Sequence, residues 1–186
     1  EDLGMSCTDF VERAEAHRPK AAFVVHVGGH IAFEIQQIAE YCRQQGIFLI
    51  EDCAHAHGAS WNGRRAGTWG DAGVWSFAAT KTISTGEGGM LVSRHDDLIV
   101  FAQAFRNYGK PSYEVDGLNF RMSEFTAAIG LVQTERLDGI VAWKNRAARQ
   151  HHDPGHPGRP PRPAGMGSGA HQQPAREQVA RAAGQA

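Results

Sequence analysis

Two short apolar runs separated by an amphipathic stretch constrain this chain more than any other feature. Residues 22–27 form a short apolar run, broken only by His26, that stops at Gly28-Gly29, and residues 47–50 are continuously apolar and stop at Glu51-Asp52. Between them Ile31, Ile35, Ile38, Ala39 and Cys42 recur at helical intervals along one side, and Gly46 supplies a stop. Strand, helix, strand in that order is a βαβ unit, whose strands run parallel and are joined by a right-handed crossover. The apolar character of each run predicts strands buried on both faces. The fold class expected is α/β, a mostly parallel sheet with flanking helices.

The pattern continues downstream. Residues 73–77 read as a strand, a Ser/Thr/Gly-rich loop runs through Gly89, and residues 90–93 read as another strand. Asp96 and Asp97 suit a helix N-terminus, and Leu98, Phe101, Ala102 and Phe105 are expected on that helix's buried face. Residues 107–119 read as a long loop. A last helix is expected from near Ser123 to about Gln150, with Phe125, Ala128, Ile129 and Val132 on one side.

Composition then separates residues 1–150 from 151–186. The second segment holds six of the eight prolines and no Leu, Ile, Phe, Tyr or Trp, so it cannot bury enough surface to offset the ordering of its backbone, roughly 1–2 kcal/mol per residue. A disordered C-terminal tail is expected, with a short helix near residues 177–183. Over the whole chain 19 basic residues oppose 20 acidic ones without a block of either sign, which excludes an electrostatic nucleic-acid binder. No run is long enough to cross a membrane. Cys7, Cys42 and Cys53 are odd in number and far apart, so free thiols and a cytoplasmic location are expected.

In an open parallel sheet, ligands bind beyond the carboxyl ends of the strands. Asp52 ends one expected strand there, and Lys81 lies in the loop after another, among Ser76, Thr80, Thr82, Ser84 and Thr85. A carboxylate and a lysine so placed are compatible with many chemistries. Asp52, Cys53, His55 and His57, with His26 and His30 upstream, also comprise zinc-ligand types, so a metal hydrolase is a rival reading that would leave the Ser76–Lys81 stretch without a role.

Glu51-Asp52-Cys53-Ala54-His55-Ala56-His57-Gly58-Ala59, Gly70-Asp71-Ala72-Gly73, Ser76-Phe77-Ala78-Ala79-Thr80-Lys81 and Gly86-Glu87-Gly88-Gly89 follow one another as motifs. Arg106-Asn107-Tyr108-Gly109 and Asn119-Phe120-Arg121-Met122-Ser123-Glu124 come after them. Together they resemble the DegT/StrS sugar aminotransferases, pyridoxal-phosphate enzymes of the aspartate-aminotransferase fold. The resemblance implies that Lys81 forms the Schiff base with pyridoxal 5'-phosphate and shuttles the proton of the transfer, since only a primary amine condenses with the cofactor's aldehyde. It implies that Asp52 pairs with the pyridine nitrogen and keeps it protonated, and that Ser76 donates to the phosphate. His55 would lie against the ring or bond its phenolic oxygen. Asn119 would reach the phosphate of a partner subunit, which implies a homodimer. Lysine at position 81 argues against the sugar-dehydratase branch, which carries histidine there.

The implied substrates are a nucleotide-linked keto sugar and an amino-acid donor, commonly glutamate, with no metal, nucleic acid or membrane partner. Members of this family are longer. Measured against them, residues 1–150 are expected to be a partial cofactor-binding large domain, without the glycine-serine/threonine phosphate loop and the stacking aromatic. Residues 151–186 do not resemble the small domain that follows in relatives. A non-catalytic remnant of such an enzyme, acting as an interaction module, is therefore the alternative expectation.

Overall fold

The computed structural model describes residues 4–152, so the expected tail beyond them and its short helix lie outside the described residues. In chain order the elements are α1 (Cys7–His17), β1 (Ala21–Val25), a 3-10 turn (Val27–Gly29), α2 (Ile35–Gln45), β2 (Phe48–Asp52), β3 (Ser60–Trp61), β4 (Arg64–Arg65), β5 (Ala72–Ser76), β6 (Gly89–Ser93), α3 (Asp96–Phe105), α4 (Glu124–Glu135) and α5 (Leu137–His152). One sheet has the order β1-β2-β5-β6, and β3 and β4 form a separate hairpin. β1, β2 and β5 are parallel, with Val24 opposite Glu51 and Asp52 opposite Val74, while β6 runs antiparallel to β5. This is the expected α/β arrangement with an antiparallel edge.

α1 and α2 cover one face of the sheet. Phe10 and Ala14 from α1, Ile35, Ile38, Ala39 and Cys42 from α2, and Val24 and Leu49 from the strands form a continuous core. Each large aliphatic side chain removed from water there contributes about 1.5–3 kcal/mol. α1 had no sequence assignment, yet it has both caps: the Ser6 hydroxyl accepts the N–H of Asp9, and Arg18 adopts a left-handed conformation at the other end.

Four expectations need correction. β1 is buried on one face only: Val24 is enclosed, but Phe23 is 61% exposed, because no helix among the described residues covers the opposite side. α2 starts at Ile35, after the chain has spent residues 27–34 on a 3-10 turn and a bend, although Ile31 and Ala32 are buried in the same core. The apolar faces of α3 and α4 are not enclosed: Phe101 is exposed and Phe125 is 87% exposed. The single helix expected from Ser123 to Gln150 is two, with Arg136 between them. That break lets Leu137 and Val141 turn onto the loop at Gly58, where an added Cβ would lie 2.9 Å from Val141 Cγ2.

Candidate active site

Because β1, β2 and β5 are parallel, their carboxyl ends open on the same edge of the sheet. Asp52 is the last residue of β2 and Ser76 the last of β5, and β1 leads directly into Val27-Gly28-Gly29. Two of the sequence motifs and the Gly28-Gly29 turn thus converge through strand pairing.

Asp52 is half-buried, and its Oδ1 accepts the Ala54 N–H at 2.9 Å, which turns the chain sharply after β2. Its other oxygen has no protein partner among the described residues. The turn presents His55, whose Nδ1 accepts the N–H of Gly28 at 3.3 Å. With Nδ1 occupied as acceptor, a neutral ring carries its proton on Nε2, which is left to donate to a ligand. Gly29 makes this approach possible: it has φ +87°, and a Cβ on it would lie 2.9 Å from the His55 carbonyl oxygen.

Ser76 opens a loop that is bonded back on itself. The Phe77 N–H donates to the Gly88 carbonyl at 2.8 Å, the Thr85 N–H to the Phe77 carbonyl at 3.0 Å, and the Lys81 N–H to the Ala78 carbonyl at 3.0 Å. The Ser76 hydroxyl accepts the Ala78 N–H at 3.3 Å and keeps its own proton to donate. The Lys81 ε-amino group, half-buried, makes no hydrogen bond or ion pair among the described residues.

His57 lies behind these groups. It is 6% exposed, its ring meets that of Phe77 at 6.0 Å between centroids, and neither ring nitrogen has a hydrogen-bond partner of good geometry. Burial holds its pKa below the ordinary histidine value; a weak hydrogen bond with the Ser76 backbone opposes that shift, and the charges of Lys81, Lys144 and His55 reinforce it. The two lysines and both histidines therefore share one neighbourhood.

Glu51, which the sequence offered only as a motif letter, is a structural hub. Fully buried, it accepts the N–H groups of Gly67 at 2.8 Å and Gly70 at 2.6 Å, a third from Trp69, and the His26 ring at 2.9 Å. The signal available in the sequence was an acidic residue inside an otherwise apolar strand. His26, Glu51 and Cys53 lie within 4.8 Å of one another, as a metal set would. The chemistry opposes that use. The His26 Nδ1 accepts the Ala32 N–H, so its Nε2 bears the proton shared with Glu51 and has no lone pair to offer. Burial, then Glu51 and Asp52, push the Cys53 thiol strongly upward and keep it protonated. His55 and His57 are not part of this set.

Asn119 stands apart. It is exposed, bridges to Asn107, and its Oδ1 accepts from the Arg121 backbone at 3.3 Å and side chain at 3.2 Å. Among the described residues no hydrogen bond or ion pair joins it to Asp52, Ser76 or Lys81.

A family profile, that of the DegT/DnrJ/EryC1/StrS aminotransferase family, matches residues 2–154 and so spans all of these motifs. The chain belongs to this family. It is 39% identical over 153 residues to the GDP-perosamine synthase of Vibrio cholerae, covering 80% of this chain and 41% of that protein. It is 38% identical over 152 residues to the L-glutamine:scyllo-inosose aminotransferase of Streptomyces griseus, covering 74% of this chain and 36% of that one. Among solved structures it resembles DesI, determined in the presence of its TDP-sugar product, with a TM-score of 0.69 and 33% identity over 80% of this chain and 38% of DesI. The chain thus spans about two fifths of the length of the curated relatives it matches.

Proposed function

We propose that Asp52, His55, Ser76 and Lys81 form one wall of a pyridoxal 5'-phosphate site, and that the chemistry served is transfer of an amino group to the keto carbon of a nucleotide-linked sugar. The observation that supports this most is that all four residues stand at or just beyond the carboxyl ends of β2 and β5, each with a polar atom not used by the fold. Those atoms are a carboxylate oxygen of Asp52, the Nε2 of His55, the hydroxyl proton of Ser76 and the Nζ of Lys81. Their types match an aromatic nitrogen cation, a phenolic oxygen, a phosphate and an aldehyde in turn. When bound, the cofactor supplies an electron sink for the carbanion formed at the substrate.

Asp52 would hold the proton on the pyridine nitrogen. Lys81 Nζ would bind the cofactor through its aldehyde carbon and, once displaced by the incoming amine, accept and return the proton of the transfer. His55 would donate from Nε2, and its orientation is set in advance by the Gly28 N–H. Glutamate is the amino donor proposed. A homodimer in which Asn119 serves the neighbouring site is part of the reading, and the exposed Leu118, Phe120, Phe125 and Ile129 beside it support that. A cytoplasmic setting is proposed as well, in keeping with the free thiols of Cys7, Cys42 and Cys53.

The test is to incubate the protein with pyridoxal phosphate, reduce with borohydride and locate the added mass by peptide mapping. The expected result is modification at Lys81, lost in Lys81→Ala and weakened in Asp52→Ala. Modification spread over surface lysines, with Lys81 spared, would refute the assignment.

A further inference from the structure

Next to His55, and lined by none of Asp52, Ser76 or Lys81, is a cleft of about 420 Å³. Its walls include Gly28, His30, His57, Trp61, Lys144 and Asn145. His57 is buried in this wall, and neither ring nitrogen has a partner of full hydrogen-bond geometry, the Ser76 backbone offering only a weak one. A buried polar group without a full partner is costly, and a ligand in the cleft would supply one.

The charge around it has one sign. No Asp or Glu lines the cleft; Lys144 supplies its positive charge, and the rings of His30, His55 and His57 add hydrogen-bonding nitrogens. Lys144 is paired with no carboxylate among the described residues, and Lys81 adds a further positive charge near His57. The position of Lys144 is determined by packing. α5 lies against Gly58 through Leu137 and Val141, Asp138 meets Arg65 at 3.5 Å, and the same arginine donates to the Gly58 carbonyl at 3.0 Å. Residues 137, 141, 144 and 145 share a helix face, so this docking carries Lys144 and Asn145 over the cleft mouth.

We propose that this cleft is an oxyanion subsite, in which a ring N–H of His57 and the ammonium of Lys144 hold a phosphate or carboxylate group presented beside Lys81. The assignment rests on the cleft itself; only its reading as the substrate's anionic handle rests on the function proposed above. A preformed cationic pocket with an unsatisfied donor strengthens hydrogen bonds to a charged acceptor.

The probes are inorganic pyrophosphate and glutarate, added separately to the full chain without cofactor, with ring signals followed by NMR on histidine-labelled protein and assigned through His57→Phe. A saturable movement of the His57 ring nitrogens is expected, with affinity about tenfold weaker in Lys144→Ala and unchanged in Ser76→Ala. Movement with pyrophosphate alone assigns the subsite to a diphosphate, with glutarate alone to a donor carboxylate, and with both to either oxyanion. No movement with either probe up to about 10 mM would overturn the proposal, since the site would then contribute under about 3 kcal/mol. So would a movement insensitive to Lys144→Ala or abolished by Ser76→Ala, because the anion would then sit elsewhere. Lys144 is exposed on α5, so that variant tests the idea even if His57→Phe folds poorly. Anion binding at His57 without modification at Lys81 would leave the subsite standing and remove the cofactor reading, and the reverse result would do the opposite.

Discussion

The half of the chain built from α1, β1, α2 and β2 and the half built from α3, α4 and α5 have similarly apolar helix faces but opposite burial. In the first, Ile35, Ile38, Leu49 and Val24 are enclosed by one another. In the second, neither α3 nor α4 contains a buried residue, and Phe125 and Leu131 face outward. α3 is held by an aromatic row, with Phe101 stacked on Phe105 and Phe105 on Phe120 at 5.9 Å each, rather than by a closed core. A helical stripe of apolar residues therefore identifies a face that favours a partner and does not identify the partner. The cleft beside the candidate site lies where the two halves meet, with His55 supplied by the first and Lys144 carried in by α5 from the second.

The contrast is open to direct test. Glu51→Ala, in the closed half, strips a partner from three backbone N–H groups and His26, and should cost at least about 3 kcal/mol in urea unfolding. A loss near zero would mean that water replaces those bonds and that the hub is not structural. Ile38→Ala, at a fully enclosed position, should cost about 2–5 kcal/mol by the same measurement.

Asp71, which ties β2 to the start of α3, sharpens the comparison through pH. Burial alone would raise its pKa, but hydrogen bonds from His95, the Leu49 N–H and Arg94 outweigh that and hold it below the ordinary carboxylate value. The folded state thus binds this proton more weakly than the unfolded one. Its contribution is complete above about pH 4 and is lost as pH falls below that value, and Asp71→Asn should flatten this part of the stability profile. Smallest of all, Phe125→Ser should change stability by under about 0.5 kcal/mol, since the ring is already in water. A loss as large as that of Ile38→Ala would show that the face is covered in solution, and would merge the two halves into one class.

Much of the candidate site was legible because strand ends and catalytic loops are local in sequence. The apolar run that stops at Glu51-Asp52 marks where β2 ends, and Asp52 indeed closes it, while the strand expected over residues 73–77 closes one residue earlier, at Ser76. The tie between Gly28 and His55 was not legible, because it joins residues 27 apart through the pairing of β1 with β2. Glu51 and Asp52 differ by one position and by everything else. Alternation along the strand turns one carboxylate into the interior against the Gly67–Gly70 turn and leaves the other half-exposed at the sheet edge. His57 could be taken for a metal ligand from its residue type alone, whereas its lack of partners and its place beside Lys144 are tertiary facts.

By itself the sequence determined the βαβ frame, the mostly parallel sheet, the caps at Gly46 and Ser123, and the order of motifs that places this chain among the DegT/DnrJ/EryC1/StrS aminotransferases. These follow from periodicity, turn chemistry and residue type, all of which act over a few positions. Only the tertiary structure decided which apolar faces are enclosed, which of two adjacent carboxylates is structural, and that α4 and α5 part at Arg136. The physical reason is common to all three: burial, pairing and helix docking are properties of surfaces brought together from distant parts of the chain. Periodicity specifies the surfaces but not the meeting.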